Sequence, residues 1–146
     1  MPTDPSLEAF CAFFNKLDKT YTKKLYEIYT DDVVFRDPLH HIEGRDALKR
    51  YFDTLYANVS SCRFEFHDAL QQDREACVTW TMHLQHPRLS GGQPISVSGC
   101  SRLTFSVDDP QRVCRHHDYF DVGTMLYERL PLVGPTIRWI KRRVGD

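Results

Sequence analysis

The sequence predicts a single α+β domain, with helices from the first third of the chain packed on one face of an antiparallel meander. Two observations carry this. Apolar residues recur every three or four positions up to about residue 58, then alternate every second position from residue 62 to 121. The alternating runs are long and are joined by short turn-rich links, which antiparallel neighbours need and parallel ones cannot use. A chain of 146 residues is the size of one core, and 41% apolar with 27% charged residues is an ordinary globular balance.

In chain order, "SLEAFCAFFNKLDK" places Leu7, Phe10, Phe13, Phe14 and Leu17 at helical spacing, with Ser6 as a candidate N-cap. "TYTKKLYEIYTDD" reads as a second, shorter helix carrying Leu25, Ile28 and Tyr29. "VVF" is a short strand stopped by Pro38. "GRDALKRYFDTLYANV" gives the clearest helix, with Leu48, Tyr51, Phe52 and Leu55 in one stripe. "CRFEFHDALQQ", "EACVTWTMHLQH", "ISVSGCSRLTFSV" and "RVCRHHDYFD" follow as strands, linked through "QDRE", "PRLSGGQP" and "DDPQ". The ladder should pair 62–72 with 74–86, 76–86 with 95–106, and 95–106 with 112–121. The tail 123–146 is broken by prolines and ends in the basic amphipathic "TIRWIKRRV", whose Trp139 is expected to pack on the sheet or a second subunit rather than touch a membrane.

Charge and cysteine usage narrow the function classes. A formal charge of −1 offers no basic surface for nucleic acid. The N-terminus lacks a signal-peptide pattern and no stretch approaches the roughly 20 apolar residues of a membrane span. Five irregularly spaced cysteines suggest neither a disulfide framework nor zinc, and the chain is expected to be cytoplasmic. No metal is expected: His116 and His117 are adjacent on a strand and point to opposite faces. No cofactor motif is present.

Two stretches carry candidate chemistry. In "VVFRDPLHHIEG", Asp37 is either the opener of an Asp-Pro turn or a carboxylate held at a strand end. In "EACVTWTMHLQ", Val78, Trp80, Met82 and Leu84 share the interior face, leaving His83 to solvent. The last strand breaks this rule. His116, Asp118 and Phe120 share one face, Arg115, His117 and Tyr119 the other. If the face of Phe120 is interior, an imidazole and a carboxylate are buried two residues apart, as a satisfied structural pair or an acid–base couple.

The segments "YTDDVVFRDP" (29–38), "IEGRDALKRYF" (42–52) and "RHHDYFD" (115–121), in that order and spacing, resemble the nuclear transport factor 2-like superfamily. Within it, the chain is most similar to SnoaL-like polyketide cyclases and ketosteroid isomerases. The resemblance covers about residues 5–122 of one SnoaL-like domain, 1–146. It implies a curved sheet wrapped round three N-terminal helices into a cone (a cystatin-like roll) with an apolar pocket, and a homodimer formed through the outer sheet face. In the isomerases the aspartate at the position of Asp37 is the general base. Their oxyanion hole uses a tyrosine and a protonated aspartate, where this chain has Phe13 and Ser101. A steroid isomerase mechanism is therefore not expected. The cyclases use an acid in the last long strand near a histidine, positions that Asp118 and His116 match.

Two functions follow. One is a cofactor-independent isomerase or cyclase working by proton transfer on a hydrophobic carbonyl compound. Asp118 would be its acid–base, His116 the partner and Asp37 a second carboxylate, with an apolar wall of Trp80, Met82 and Phe120. The same couple could activate water, as in an epoxide hydrolase. The other is a non-catalytic module that binds a small lipophilic ligand or a protein.

Overall fold

The computed structural model describes residues 4–18, 22–123 and 134–145. Helix α1 (Pro5–Lys16) starts one residue earlier than its apolar pattern suggests. Its cap is Asp4, not Ser6: the Asp4 carboxylate accepts from the Ser6 and Leu7 amides, and Pro5 occupies the first turn, where no amide is needed. The second helix is a single turn. A 3₁₀ turn (Thr22–Lys24) leads into α2 (Leu25–Ile28), and Tyr29 already begins β1 (Tyr29–Arg36). The β-branched Thr30, Val33 and Val34 favour strand there over continued helix.

After the Asp37–His40 turn come a short β2 (His41–Glu43), absent from the sequence reading, and α3 (Arg45–Asn58). The Gly44-Arg45 pair makes this join. Gly44 has φ of +94°, a conformation costly for any residue with a Cβ. Arg45 donates to the carbonyls of Tyr26 and Tyr29, pinning α3 to the α2–β1 junction. Strands β3 (Ser61–Gln72), β4 (Glu75–Gln85), β5 (Ile95–Phe105) and β6 (Val113–Phe120) form the predicted meander.

The six strands make one curved sheet in the order β2-β1-β6-β5-β4-β3. Every pairing is antiparallel except β1 with β6, which is parallel. Register shifts with extra residues on β3, β1 and β6 mark bulges that bend the strands. The apolar faces of α1 and α3 cover the inner side: Phe10, Phe14, Leu48 and Phe52 meet Val33, Phe35, Val78 and Leu103 in one cluster. Complete burial of such a side chain is worth about 1.5–3 kcal/mol. A second cluster joins Trp80, Met82, Leu84, Ile95 and Val97.

The final helix, α4 (Gly134–Gly145), stands apart from this core. Trp139 is 54% exposed, with the Arg143 guanidinium over its ring. Lys141 pairs with Asp121 at 2.6 Å. Among the described residues no helix is long and apolar enough to cross a membrane.

Gly99 sets the seat of Trp80. It lies directly opposite Trp80 across β4 and β5, and a Cβ there would stand 2.5 Å from both the indole and the Tyr119 carbonyl oxygen. Gly99→Ala must displace one of them and should cost about 1–3 kcal/mol. Urea denaturation measures this, and a loss within about 0.5 kcal/mol, the range of an indifferent surface change, would refute the packing argument.

Candidate functional site

The strand β6 presents His116 and Asp118 inward and Arg115, His117 and Tyr119 outward, so the broken alternation marks a polar group inside the fold. His116 is 2% exposed. Its ring is enclosed by Phe10, Phe14 and Phe35 edge-on, and lies nearly parallel to Tyr29. Both ring nitrogens are engaged, Nδ1 with the Tyr29 hydroxyl at 2.7 Å and Nε2 with Asp118 Oδ1 at 2.6 Å. From the other side Ser101 donates to the same Oδ1 at 2.5 Å, and the Trp80 indole donates to Ser101 Oγ at 2.9 Å.

The order of donors follows from the groups themselves. An indole N–H can only donate, so the Ser101 hydroxyl proton is left for Asp118. Tyr29 is held well above the ordinary phenol range, by burial first and then by the Asp118 charge. It stays protonated and donates to Nδ1, which places the imidazole hydrogen on Nε2, aimed at Asp118. The Ser101 hydroxyl and the His116 Nε2–H thus converge on Oδ1 of Asp118. A buried polar chain satisfied at every link is stable, whereas a broken one carries the full desolvation cost of its orphaned member.

Beside this chain lies a cavity of about 10 Å³. Ser101, His116 and Asp118 form its polar side; Phe10, Phe14, Phe64, Phe66 and Trp80 form the apolar one. Of the residues expected to hold a ligand, Trp80 and Ser101 line it. Phe120 packs against Trp80, with ring centroids 6.3 Å apart, without lining it. Met82 belongs to the neighbouring cluster and Phe13 to the main core.

Asp37 does not line the cavity. Its Oδ1 accepts from the amides of Leu39 and His40 at 2.8 and 2.7 Å, and its side chain is 7% exposed. His40 Nδ1 lies 3.0 Å away, and the Tyr51 hydroxyl donates to Oδ2 at 3.2 Å. This is the turn-opening aspartate that the Asp-Pro sequence permits. With both oxygens occupied at the strand end, it is separated from the His116–Asp118 couple.

The sequence reading missed the tyrosines. Tyr51 and Tyr56, like Tyr29, are raised well above the phenol range, by burial first, and the Asp118 charge adds to the rise in both. Tyr29 and Tyr51 read as apolar positions of helices, and Tyr56 carries no pattern signal of its own. Their signal is the hydroxyl, which needs an internal partner once the ring is buried. His83 lies on the outer face, bonded to Ser96 and Glu65. Among the described residues no three His, Cys, Asp or Glu side chains converge as metal ligands.

Removing the Tyr29 hydroxyl tests the chain. Tyr29→Phe leaves Nδ1 buried without a donor and should destabilise the fold by about 1–3 kcal/mol. It should also alter the ¹⁵N shifts that report the His116 tautomer. Unchanged shifts would show that Tyr29 does not set the tautomer.

Known proteins place this arrangement. No curated protein matches the chain. Solved structures share its fold at low identity. A proposed SnoaL-like polyketide cyclase from Shewanella denitrificans superposes with a TM-score of 0.70 at 19% identity, over 83% of this chain and 94% of that one. A proposed polyketide cyclase from Acidithiobacillus ferrooxidans gives 0.71 at 16%, over 91% and 99%. An LEH-like epoxide hydrolase from M. tuberculosis gives 0.68 at 19%, over 82% and 81%. The SnoaL-like domain family matches residues 7–116, three quarters of the chain, and the protein belongs to that family.

Proposed function

We propose that the protein catalyses proton transfer on a hydrophobic carbonyl compound without a cofactor, as an isomerase or cyclase. The observation that carries this reading is the Tyr29–His116–Asp118–Ser101–Trp80 chain, ending at a carboxylate beside an aromatic cavity. Asp118 Oδ2 removes a proton from the carbon next to the carbonyl, giving an enolate and a neutral carboxylic acid. The same oxygen then returns the proton at the carbon where the product needs it. His116 and Ser101 hold Oδ1 throughout, and Tyr29 fixes the imidazole, so these three are positioning residues.

The substrate class follows from the same hydrogen bonds. The Trp80 N–H and Ser101 O–H, the donors nearest the cavity, are directed into the Asp118 chain and are not free to bind an enolate oxygen. A carbon acid already activated by two carbonyls, such as a cyclic 1,3-dicarbonyl, demands least from an oxyanion site. Admission of such a ring requires the aromatic wall to part. The seam is the contact of Phe14 on α1 with Phe64 on β3, ring centroids 5.7 Å apart.

The size of the cavity favours a second reading. About 10 Å³ is close to the space one water occupies, and an Asp118 that deprotonates water would open an epoxide as a hydrolase. Binding without turnover is the remaining outcome.

The test follows α-proton exchange of cyclic 1,3-dicarbonyls in D₂O by NMR. The protein should accelerate exchange, and Asp118→Asn should abolish it while keeping ligand affinity within about tenfold, roughly 1.4 kcal/mol. Full exchange activity in Asp118→Asn would end the proton-transfer reading. Incorporation of ¹⁸O from water into an epoxide, with no α-exchange, would select the hydrolase. A lipophilic ligand retained in the native mass spectrum without either reaction would select the binder.

A further inference from the structure

The opposite face of the sheet carries a second concavity, about 440 Å³, within the size range of small-molecule sites. Strand register explains its chemistry. His41 on β2 stands opposite Arg36 on β1, Arg36 opposite His117 on β6, and His117 opposite Arg102 on β5. Residues opposite one another point to the same face, so four basic side chains lie in one row across four strands. Arg115 follows in the next row on β6, beside Thr104 and Val34. All of them line the concavity.

The arginines are unfavourable together in isolation, because Arg115 stands one row from Arg36 and from Arg102 on neighbouring strands, where like charges repel. The compensation within the chain is slight. Arg102 reaches Glu75 at 3.7 Å and His41 reaches Glu43 at 3.4 Å, all largely in solvent, where ion pairs contribute little. Arg36 and Arg115 have no hydrogen-bond or ion-pair partner for their side chains among the described residues. His117 is held in place, its ring stacked on Tyr119 with centroids 4.0 Å apart. Arg36 and Arg102 are two strand spacings apart, roughly 10 Å, and their long side chains can close over an anion resting on His117.

We propose that this groove is a second ligand site, on the outer face of the sheet, for a small molecule carrying a phosphate or diphosphate group. Guanidinium groups recognise such oxygens in bidentate pairs, and three of them bordering one concavity supply the charge that a dianion requires. The groove opens on the other face of the sheet from the Asp118 cavity, with His116 the one residue lining both, and binding there does not require the reaction at Asp118.

Inorganic pyrophosphate is the probe. Calorimetry at low ionic strength should give saturable binding that weakens as salt is raised. The double variant Arg36→Gln/Arg115→Gln should lose affinity by about tenfold or more. Both positions are exposed, so the fold is expected to survive, and circular dichroism verifies it. Amide shifts on adding pyrophosphate should concentrate at residues 36, 102, 115 and 117. Absence of saturation in the wild-type protein, equal affinity in the double variant, or shifts centred elsewhere would each overturn the proposal. So would light scattering that shows a dimer which the two substitutions dissociate, because the arginines would then serve a contact between copies.

Discussion

A histidine enclosed by aromatic rings in the centre of a small domain is the constraint on which the rest depends. His116 can occupy that position only if both nitrogens are satisfied, one by a remote segment and one by its own strand. Tyr29 arrives through the parallel pairing of β1 with β6, and Asp118 through the next inward position of β6 itself. The parallel pairing is therefore more than an edge of the sheet. It brings the first residue of β1 against the imidazole, and the Arg45 bond to the Tyr29 carbonyl ties the same residue to α3. Helix placement, strand pairing and the polar chain are mutually supporting.

The fold is legible in the sequence where one physical rule dominates. Strict alternation in "EACVTWTMHLQ" predicts both strand and facing, and Val78, Trp80, Met82 and Leu84 are all buried. Where rules compete, the reading fails. "LYEIYTDD" has helical spacing, but Tyr29 belongs to a strand because its ring and hydroxyl are needed at His116, and tertiary contacts override a weak local preference. β2 has only three residues and no pattern of its own; its existence depends on pairing with β1. In the site, "RHHDYFD" shows its inward couple through the conflict between polarity and alternation. The Ser101 and Tyr29 links stay hidden, because a serine or a tyrosine in a strand carries no sign of its partner.

The alternation of one strand also divides two chemistries. Inward, β6 offers His116 and Asp118 to an apolar interior, where every hydrogen bond must be made within the protein. Outward, Arg115 and His117 face solvent, where charge can remain unpaired until a ligand supplies the counter-charge. A one-residue slip of β6 would exchange the two sets and destroy both faces at once. The bulge on β6 opposite Thr104 and Phe105, next to where β6 begins, adjusts the register before these residues are reached.

Fold similarity at 12–19% identity among the structural relatives establishes the frame and leaves the chemistry to particular residues. Two of the three positions that the isomerase resemblance singles out are committed elsewhere in this chain. Asp37 holds a turn through two backbone amides and a tyrosine, and Ser101 directs its proton to Asp118. Ser101 and the histidine–aspartate couple on β6 therefore form one hydrogen-bonded unit. A serine can donate to Asp118 while accepting from Trp80; a second carboxylate at 101 would instead stand beside Asp118 and repel its ionised form. With Ser101 in that place, Asp118 Oδ1 meets both a hydroxyl and an imidazole on the inner wall, and β6, not the end of β1, carries the carboxylate that lines the inner cavity.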